Sequence, residues 1–441
     1  MLRTLTLTAL IATSAAAQDL TVTAPTQQAP TAIVNATIHT VSGETIDRGY
    51  VLFDQGKIVE VKAGDAAFTA ITRLIDAEGK HVYPGLFGAV TRLGLAEISA
   101  VRASRDFNEV GQLSPEVYAA VAVNPDSTLI PVARTNGVLL AGSFPSGGLV
   151  PGRASVLQLE GWTSEDMTLE PHAGVVINWP FQRPRQDWWM DQNEQEQLER
   201  IARNNARIDG LFQSAIAYHN ADNPTTDLRL EAIGDVLPTS DKTGDNQKPV
   251  FINAQDLDQI TTAVEWAVGI GLKPVIVGGR DAPLAAELLK AHDVPVIVTG
   301  SNGFPKRADA PYDDAFTLPA RLQAAGVRFC IASGEETGHE RNLPYNAAIS
   351  AAYGADLNFT PEDALRAITL APAQILGVAD KVGSIEAGKH ATLLITDGSP
   401  LEYNTTITHA FIAGRDVDLS NKQTELRDKY LEKYRQIDGD N

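Results

Sequence analysis

Several residue types that indicate particular protein classes are scarce in this 441-residue sequence. It has one cysteine, which excludes a disulfide framework and any zinc site built from several thiolates. Basic residues are also few, with 36 Lys and Arg against 55 Asp and Glu and a formal net charge of −19. Because nucleic-acid binding needs a basic surface, no nucleic-acid partner is expected. After the first residues no run reaches the roughly 18 apolar residues that cross a bilayer, so no membrane span is expected either.

The overall composition is that of a globular protein, and the first residues have the pattern of an export signal. Apolar residues make up 44% and charged residues 21% of the chain. Arg3 gives a positive start, residues 5–12 are moderately apolar, and three alanines at 15–17 fit a cleavage site. We therefore predict a signal peptide over residues 1–17 and a periplasmic or secreted protein. Cys330 lies in an apolar run, which predicts a buried, unreactive thiol.

The hydrophobic pattern changes twice along the chain. Short alternating strands come first, strands then alternate with helices from about 80 to 380, and short strands return after that. Repeated βα units predict a parallel sheet, and some 300 residues fit a (β/α)8 barrel. Because neither terminal set of strands is enough for a stable sheet, we expect the two sets to form one composite β-sandwich. The predicted domains are 1–17 (signal peptide), 18–79 (first part of the sandwich), 80–380 (barrel) and 381–441 (second part of the sandwich and a terminal helix).

Two stretches carry motifs of a known family. Residues 77–89 read AEGKHVYPGLFGA, and residues 360–377 read TPEDALRAITLAPAQILG, followed by VGSI and AGK. They resemble the first barrel strand and the helix-and-return segment of imidazolonepropionase-like members of the amidohydrolase superfamily. The resemblance runs from about 32 to 436. It implies an α/β fold with an amidohydrolase-type TIM barrel, hydrolysis of carbon–nitrogen bonds other than peptide bonds, and zinc or another divalent metal.

The positions where the resemblance implies metal ligands carry other residues. In place of the family's His-x-His pair the sequence has Val90 and Arg92, and neither side chain has a lone pair to offer. At about 4 Å from a dication and an effective dielectric constant near 20, Arg92 would cost about 8 kcal/mol. At the other ligand positions that the resemblance implies, Asn253 and Gly278 stand in place of histidines, and Gly334 stands in place of an aspartate that serves as ligand and base. We therefore expect no metal cofactor and no catalytic residues of the family's type, although these five positions should still line the pocket.

Few other side chains can replace that ligand set. An alignment shifted by one residue offers Glu335, and His339 and His172 are candidates for the pocket rim, although each is more simply a surface or capping group. The eight histidines are all at least about 19 residues apart, so they form none of the short metal-binding motifs.

Two functional hypotheses follow. In the first, the protein is catalytically degenerate and acts as a ligand-binding protein or as the partner subunit of an intact amidohydrolase paralogue or of a second copy. Arg92 then favours a small anionic ligand. In the alternative, the protein is an active hydrolase of cyclic or linear amides with a non-standard site drawn from Glu97, Asp106, Glu335 and His339. A purely structural envelope protein is a third, weaker option.

Overall fold

The computed structural model describes residues 22–185, 193–238, 247–334 and 337–439. The predicted signal peptide lies outside these residues. The strands are β1 (Thr31–Ile38), β2 (Ile46–Asp54), β3 (Lys57–Ala63), β4 (Arg73–Asp76), β5 (His81–Pro84), β6 (Leu86–Thr91), β7 (Val138–Ser143), β8 (Gly152–Gln158), β9 (Thr168–Asn178), β10 (Val250–Ala254), β11 (Pro274–Gly278), β12 (Val296–Thr299), β13 (Phe329–Ala332), β14 (Leu393–Thr396), β15 (Ile407–Ile412) and β16 (Arg415–Val417). The helices are α1 (Leu129–Thr135), α2 (Ser164–Met167), α3 (Glu194–His219), α4 (Leu228–Glu231), α5 (Leu257–Gly269), α6 (Ala286–Ala291), α7 (Leu318–Ala324), α8 (Leu343–Gly354), α9 (Pro361–Ala367), α10 (Leu370–Ile375) and α11 (Lys422–Gly439).

The N-terminal and C-terminal strands form one sheet, as predicted. Strand β5 pairs in parallel with β1 and antiparallel with β14, so it joins the two ends of the chain. Phe53 from β2 and Phe411 from β15 are fully buried and meet edge to face, with ring centroids 5.3 Å apart. The composite domain therefore has a core to which both ends contribute.

The central strands form a nearly closed barrel of eight strands in the order β6 to β13, with β13 packed against β6. The predicted barrel is confirmed, with one departure from a regular (β/α)8 pattern. Strand β8 runs antiparallel to both of its neighbours, β7 and β9. Its connections hold only residues 144–151 and 159–167, and a parallel crossover needs a dozen residues or more.

The helix-and-return segment predicted over residues 360–377 forms two helices, α9 and α10. Helix α9 begins as expected at the N-cap Thr360, whose side chain forms a capping box with Asp363. Pro372, within α10, has no backbone N–H, so it cannot donate the helical hydrogen bond to the carbonyl of Ile368 four residues earlier. The carbonyl of Ile368 instead accepts a 2.8 Å hydrogen bond from the N–H of Phe87 in β6. The break thus ties the last barrel helices to the first barrel strand.

Glu160 makes two buried contacts beside the barrel. Arg134 of α1 and Glu160 form a buried ion pair, and Glu160 also accepts a 2.6 Å hydrogen bond from the N–H of Ala24.

Within the described ranges no helix is long and apolar enough to cross a membrane.

Cys330 lies in β13 and is fully buried, as predicted. Burial raises the pKa of its thiol, because the thiolate would have to form in an apolar environment. We expect the folded protein to react with a thiol-specific colorimetric reagent only after denaturant is added. Full reaction of one thiol per chain in native buffer would contradict this.

Three rings meet where the composite sheet approaches the barrel. His39 stacks on Tyr83 with centroids 4.2 Å apart, and its Nε2 lies 3.0 Å from Nδ1 of His81. Burial and the neighbouring His81 lower the pKa of His39 from 6.5 to about 4. The folded state therefore favours the neutral ring.

This shift predicts acid sensitivity between pH 6.5 and pH 4. Because the folded-state pKa of His39 is depressed, its contribution to stability is present above pH 6.5 and is lost as the pH falls towards 4. In urea titrations the free energy of unfolding should fall less over this range in His39→Gln than in the wild type. The exposed His292→Gln is the matched control and should keep the wild-type slope; an unchanged slope in His39→Gln would contradict the prediction.

Candidate functional site

A cavity of about 730 Å³ opens at the carboxyl ends of the barrel strands. Side chains at or just after the ends of β6, β10, β11 and β12 line it, because parallel strands end at the same edge of a barrel. It has both polar and apolar walls. The lining residues are Val90, Thr91, Arg92, Ala96, Glu97, Ile98, Ser99, Arg105, Phe107, Leu129, Phe144, Pro145, Ser146, Asn253, Val277, Thr299, Gly334, Gly338 and Glu340.

Four of the five ligand positions inferred from the sequence lie on this cavity: Val90, Arg92, Asn253 and Gly334. Gly278, at the end of β11, does not line it. The side chain of Asn253 donates a 2.7 Å hydrogen bond from Nδ2 to Oδ1 of Asn178, which fixes the amide in the wall.

Arg92, directly after β6, brings a positive charge to the cavity at the barrel mouth. Its guanidinium lies over the ring of Phe107, 4.4 Å from the centroid. Partial burial lowers the pKa of Arg92, with no carboxylate acting against this effect, yet an arginine keeps its charge in proteins. Neither Arg92 nor Arg105 forms an ion pair with a carboxylate in the described part of the chain. The cavity therefore carries two cations that are not held in ion pairs by described carboxylates, although Glu97 and Glu340 line the same cavity.

Backbone geometry disfavours side chains at two of the implied ligand positions, most strongly at Gly334, where the close contact is with backbone. Gly334 has φ +63°, and a Cβ built there would lie closer than 3.0 Å to the backbone nitrogen of Gly300. Gly278 has φ +107°, and its Cβ would lie closer than 3.0 Å to the side-chain amide of Gln255. Real Cβ atoms do not approach so closely. Any side chain at Gly334 would therefore have to displace the backbone beyond β12.

A buried carboxylate in the cavity wall was missed by the sequence analysis. Glu340 is 2% exposed and accepts a 2.7 Å hydrogen bond from the hydroxyl of Ser333. A 3₁₀ segment, Thr337–Asn342, carries it back over β6, where it fills the space beside Gly88. Its neighbour His339, the residue singled out from the sequence, does not line the cavity.

The remaining candidates are scattered. Glu97 lines the cavity, whereas Asp106 is exposed and does not. His172 lies in the middle of β9, against the edge of Tyr118, and not at the carboxyl end of that strand. Glu335 falls outside the described residues.

The described mouth residues do not fit a divalent metal. Such a site needs at least two or three imidazole or carboxylate side chains whose donor atoms point at one position. Across residues 22–185, 193–238, 247–334 and 337–439, no three His, Cys, Asp or Glu side chains form a group that could hold a metal ion. Arg92 places a positive charge where the first pair of ligands would lie.

Comparison with known proteins agrees with the fold. Residues 241–421 match the model of the amidohydrolase family. This match confirms the predicted resemblance to the amidohydrolase superfamily. A 5-methylthioadenosine/S-adenosylhomocysteine deaminase of Bacillus cereus is 20% identical over 426 residues, which cover 89% of this chain and 92% of the deaminase. An imidazolonepropionase of Brucella suis is 28% identical over 151 residues, or 34% of this chain and 35% of that enzyme.

Two solved structures share the architecture. An amidohydrolase from Thermotoga maritima superposes with a TM-score of 0.74 at 24% identity, covering 88% of this chain and 99% of that one. A molinate hydrolase superposes with a TM-score of 0.53 at 15% identity, covering 90% and 96% of the two chains. The barrel with its second sheet is thus a fold that this chain shares with these solved structures.

Proposed function

We propose that this amidohydrolase-superfamily protein binds a small organic anion at the barrel mouth and has given up the metal-dependent hydrolysis of its relatives. One observation carries the proposal. Arg92 and Arg105 line the same cavity without a carboxylate partner among the described residues, and Arg92 stands where the family's first metal ligands are implied. A guanidinium group pairs with carboxylates through parallel N–H···O hydrogen bonds, so an anionic ligand is the complementary occupant.

The walls favour an anion that also has an apolar body. Ile98, Phe107, Leu129, Phe144 and Val277 line the cavity together with the two arginines. A volume of about 730 Å³ lies within the range of small-molecule sites, and apolar walls with a few polar anchors are their usual composition. A hydrophobic carboxylic acid should therefore bind better than inorganic phosphate.

The loss of hydrolysis is supported by the backbone as well as by the side chains. Gly334 takes the place of the family's aspartate, and the short approach to Gly300 leaves no room for a side chain there. Loss of this residue removes both a ligand and the base that such a mechanism uses.

Calorimetric titration with benzoate and with benzamide tests the proposal. The two probes have similar shape and differ in charge, so we expect benzoate to bind at least about ten times more tightly, with affinity falling as salt is raised. Phosphate serves as the anion without an apolar body and should bind more weakly than benzoate. Equal affinities for benzoate and benzamide would refute the proposed anion site.

A further inference from the structure

A second cavity, of about 740 Å³, lies between the composite sheet and the barrel helices α8 and α9. We call it the seam cavity. It shares no lining residue with the cavity at the barrel mouth. Its lining residues are His39, Tyr83, Ala348, Ala351, Ala352, Ala355, Asn358, Phe359, Thr360, Pro361, Glu362, Leu365, Ser399, Leu401 and Glu402.

The charge of the seam cavity is negative and is not balanced by its own walls. Glu362 and Glu402 are exposed at its rim, and no lysine or arginine is among the described residues that line it. Neither glutamate has an ion-pair partner among the described residues. His39 is neutral at pH 7, because burial and His81 lower its pKa to about 4. Within the described lining, the two carboxylates are therefore the only charges.

The inner walls of the seam cavity are aromatic and aliphatic. Tyr83 is 4% exposed and stacks with His39. Glu362 lines the same cavity, and its negative charge acts to raise the pKa of both His39 and Tyr83. Phe359 and Leu401 are also buried in the lining. Aromatic faces and carboxylates together are the groups that stabilise an organic cation, through cation–π contact and charge.

We propose that the seam cavity binds a small organic cation with an apolar body, such as an arylalkyl ammonium ion. The concave shape and volume fit a whole small molecule. The negative rim selects its charge, and the aromatic and aliphatic walls select its body. This site is independent of the anion site at the barrel mouth and stands or falls separately from it.

The test compares 2-phenylethylammonium with the neutral 2-phenylethanol by calorimetry at pH 7. We expect the cation to bind at least about ten times more tightly, a difference worth about 1.4 kcal/mol. The double variant Glu362→Gln/Glu402→Gln should reduce this preference to about onefold. The control Glu265→Gln/Glu287→Gln removes the same charge from exposed positions on α5 and α6, away from the cavity, and should keep the preference. Equal binding of the two probes to the wild type, or equal effects of the two double variants, would overturn the proposal.

Two further measurements locate the site and identify the kind of ligand. Ala352→Leu fills the cavity from an exposed position on α8 and should abolish binding of the cation, whereas Arg92→Gln should have no effect. Retained binding in Ala352→Leu would place the ligand elsewhere and contradict the proposal.

Butylammonium mimics a lysine side chain of a protein partner and should bind more weakly than 2-phenylethylammonium. Equal or tighter binding of butylammonium would point to a protein partner and against a small-molecule site.

Discussion

Replacing Arg92 by glutamine is expected to weaken benzoate binding about 10- to 100-fold. A hydrogen bond to a charged group contributes about 1.5–3 kcal/mol, and glutamine retains polarity and some length but not the charge. Benzamide binding should stay the same, since it gains nothing from the charge. Calorimetric titration of both probes into wild type and variant measures the effect directly.

Arg102→Gln is the matched control for this variant. Arg102 lies in the same connection after β6 and is exposed, but it does not line the cavity. Its loss changes the net charge of the protein equally and should alter benzoate affinity by less than about twofold at physiological salt. Arg105→Gln should show a loss of the same sign as Arg92→Gln. If Arg92→Gln and Arg102→Gln have equal effects, benzoate responds only to overall charge and the proposed site is wrong.

Replacing Gly334 by alanine is expected to lower the free energy of unfolding by about 2–5 kcal/mol. Part of the cost is the left-handed backbone at φ +63°, which disfavours residues with a Cβ by about 1–2 kcal/mol. The rest comes from the approach of the new Cβ to the backbone nitrogen of Gly300, which must move, as in an overpacked core. Urea unfolding monitored by circular dichroism gives the value.

Gly377→Ala separates these two costs. Gly377 has φ +73°, close to that of Gly334, but nothing lies within 4 Å of its Cβ position. It should therefore lose only about 1–2 kcal/mol. Equal losses for the two variants would show that Gly334 has room for a side chain, and a ligand at that position would again be possible. A larger loss for Gly334→Ala means that the family's aspartate cannot be restored there by substitution alone.

The architecture could be predicted from the sequence because its signals are local. The alternation of strands and helices predicts the barrel, and the segments 77–89 and 360–377 carry recognisable family motifs. The reversal of β8 was not predicted, although the short connections on both of its sides forbid a parallel crossover and could have revealed it. Pro372 was a similar signal for the division between α9 and α10.

The candidate sites were less predictable because they depend on contacts between distant segments. The sequence identified Arg92 and Asn253, since strand ends can be aligned with a family pattern. It singled out His339, whereas the fold of the 3₁₀ segment turns the adjacent Glu340 into the wall. The seam cavity joins His39 to Glu362, and no local pattern connects residues so far apart in the chain.

Metal analysis of the protein purified without chelator, with an amide-hydrolysis assay on the same sample, tests the central claim most directly. If the mouth has become an anion site, zinc and manganese together should amount to less than about 0.1 per chain, and chelator should leave any background hydrolysis unchanged. More than about 0.5 zinc or manganese per chain, with amide turnover that chelation abolishes, would contradict the account.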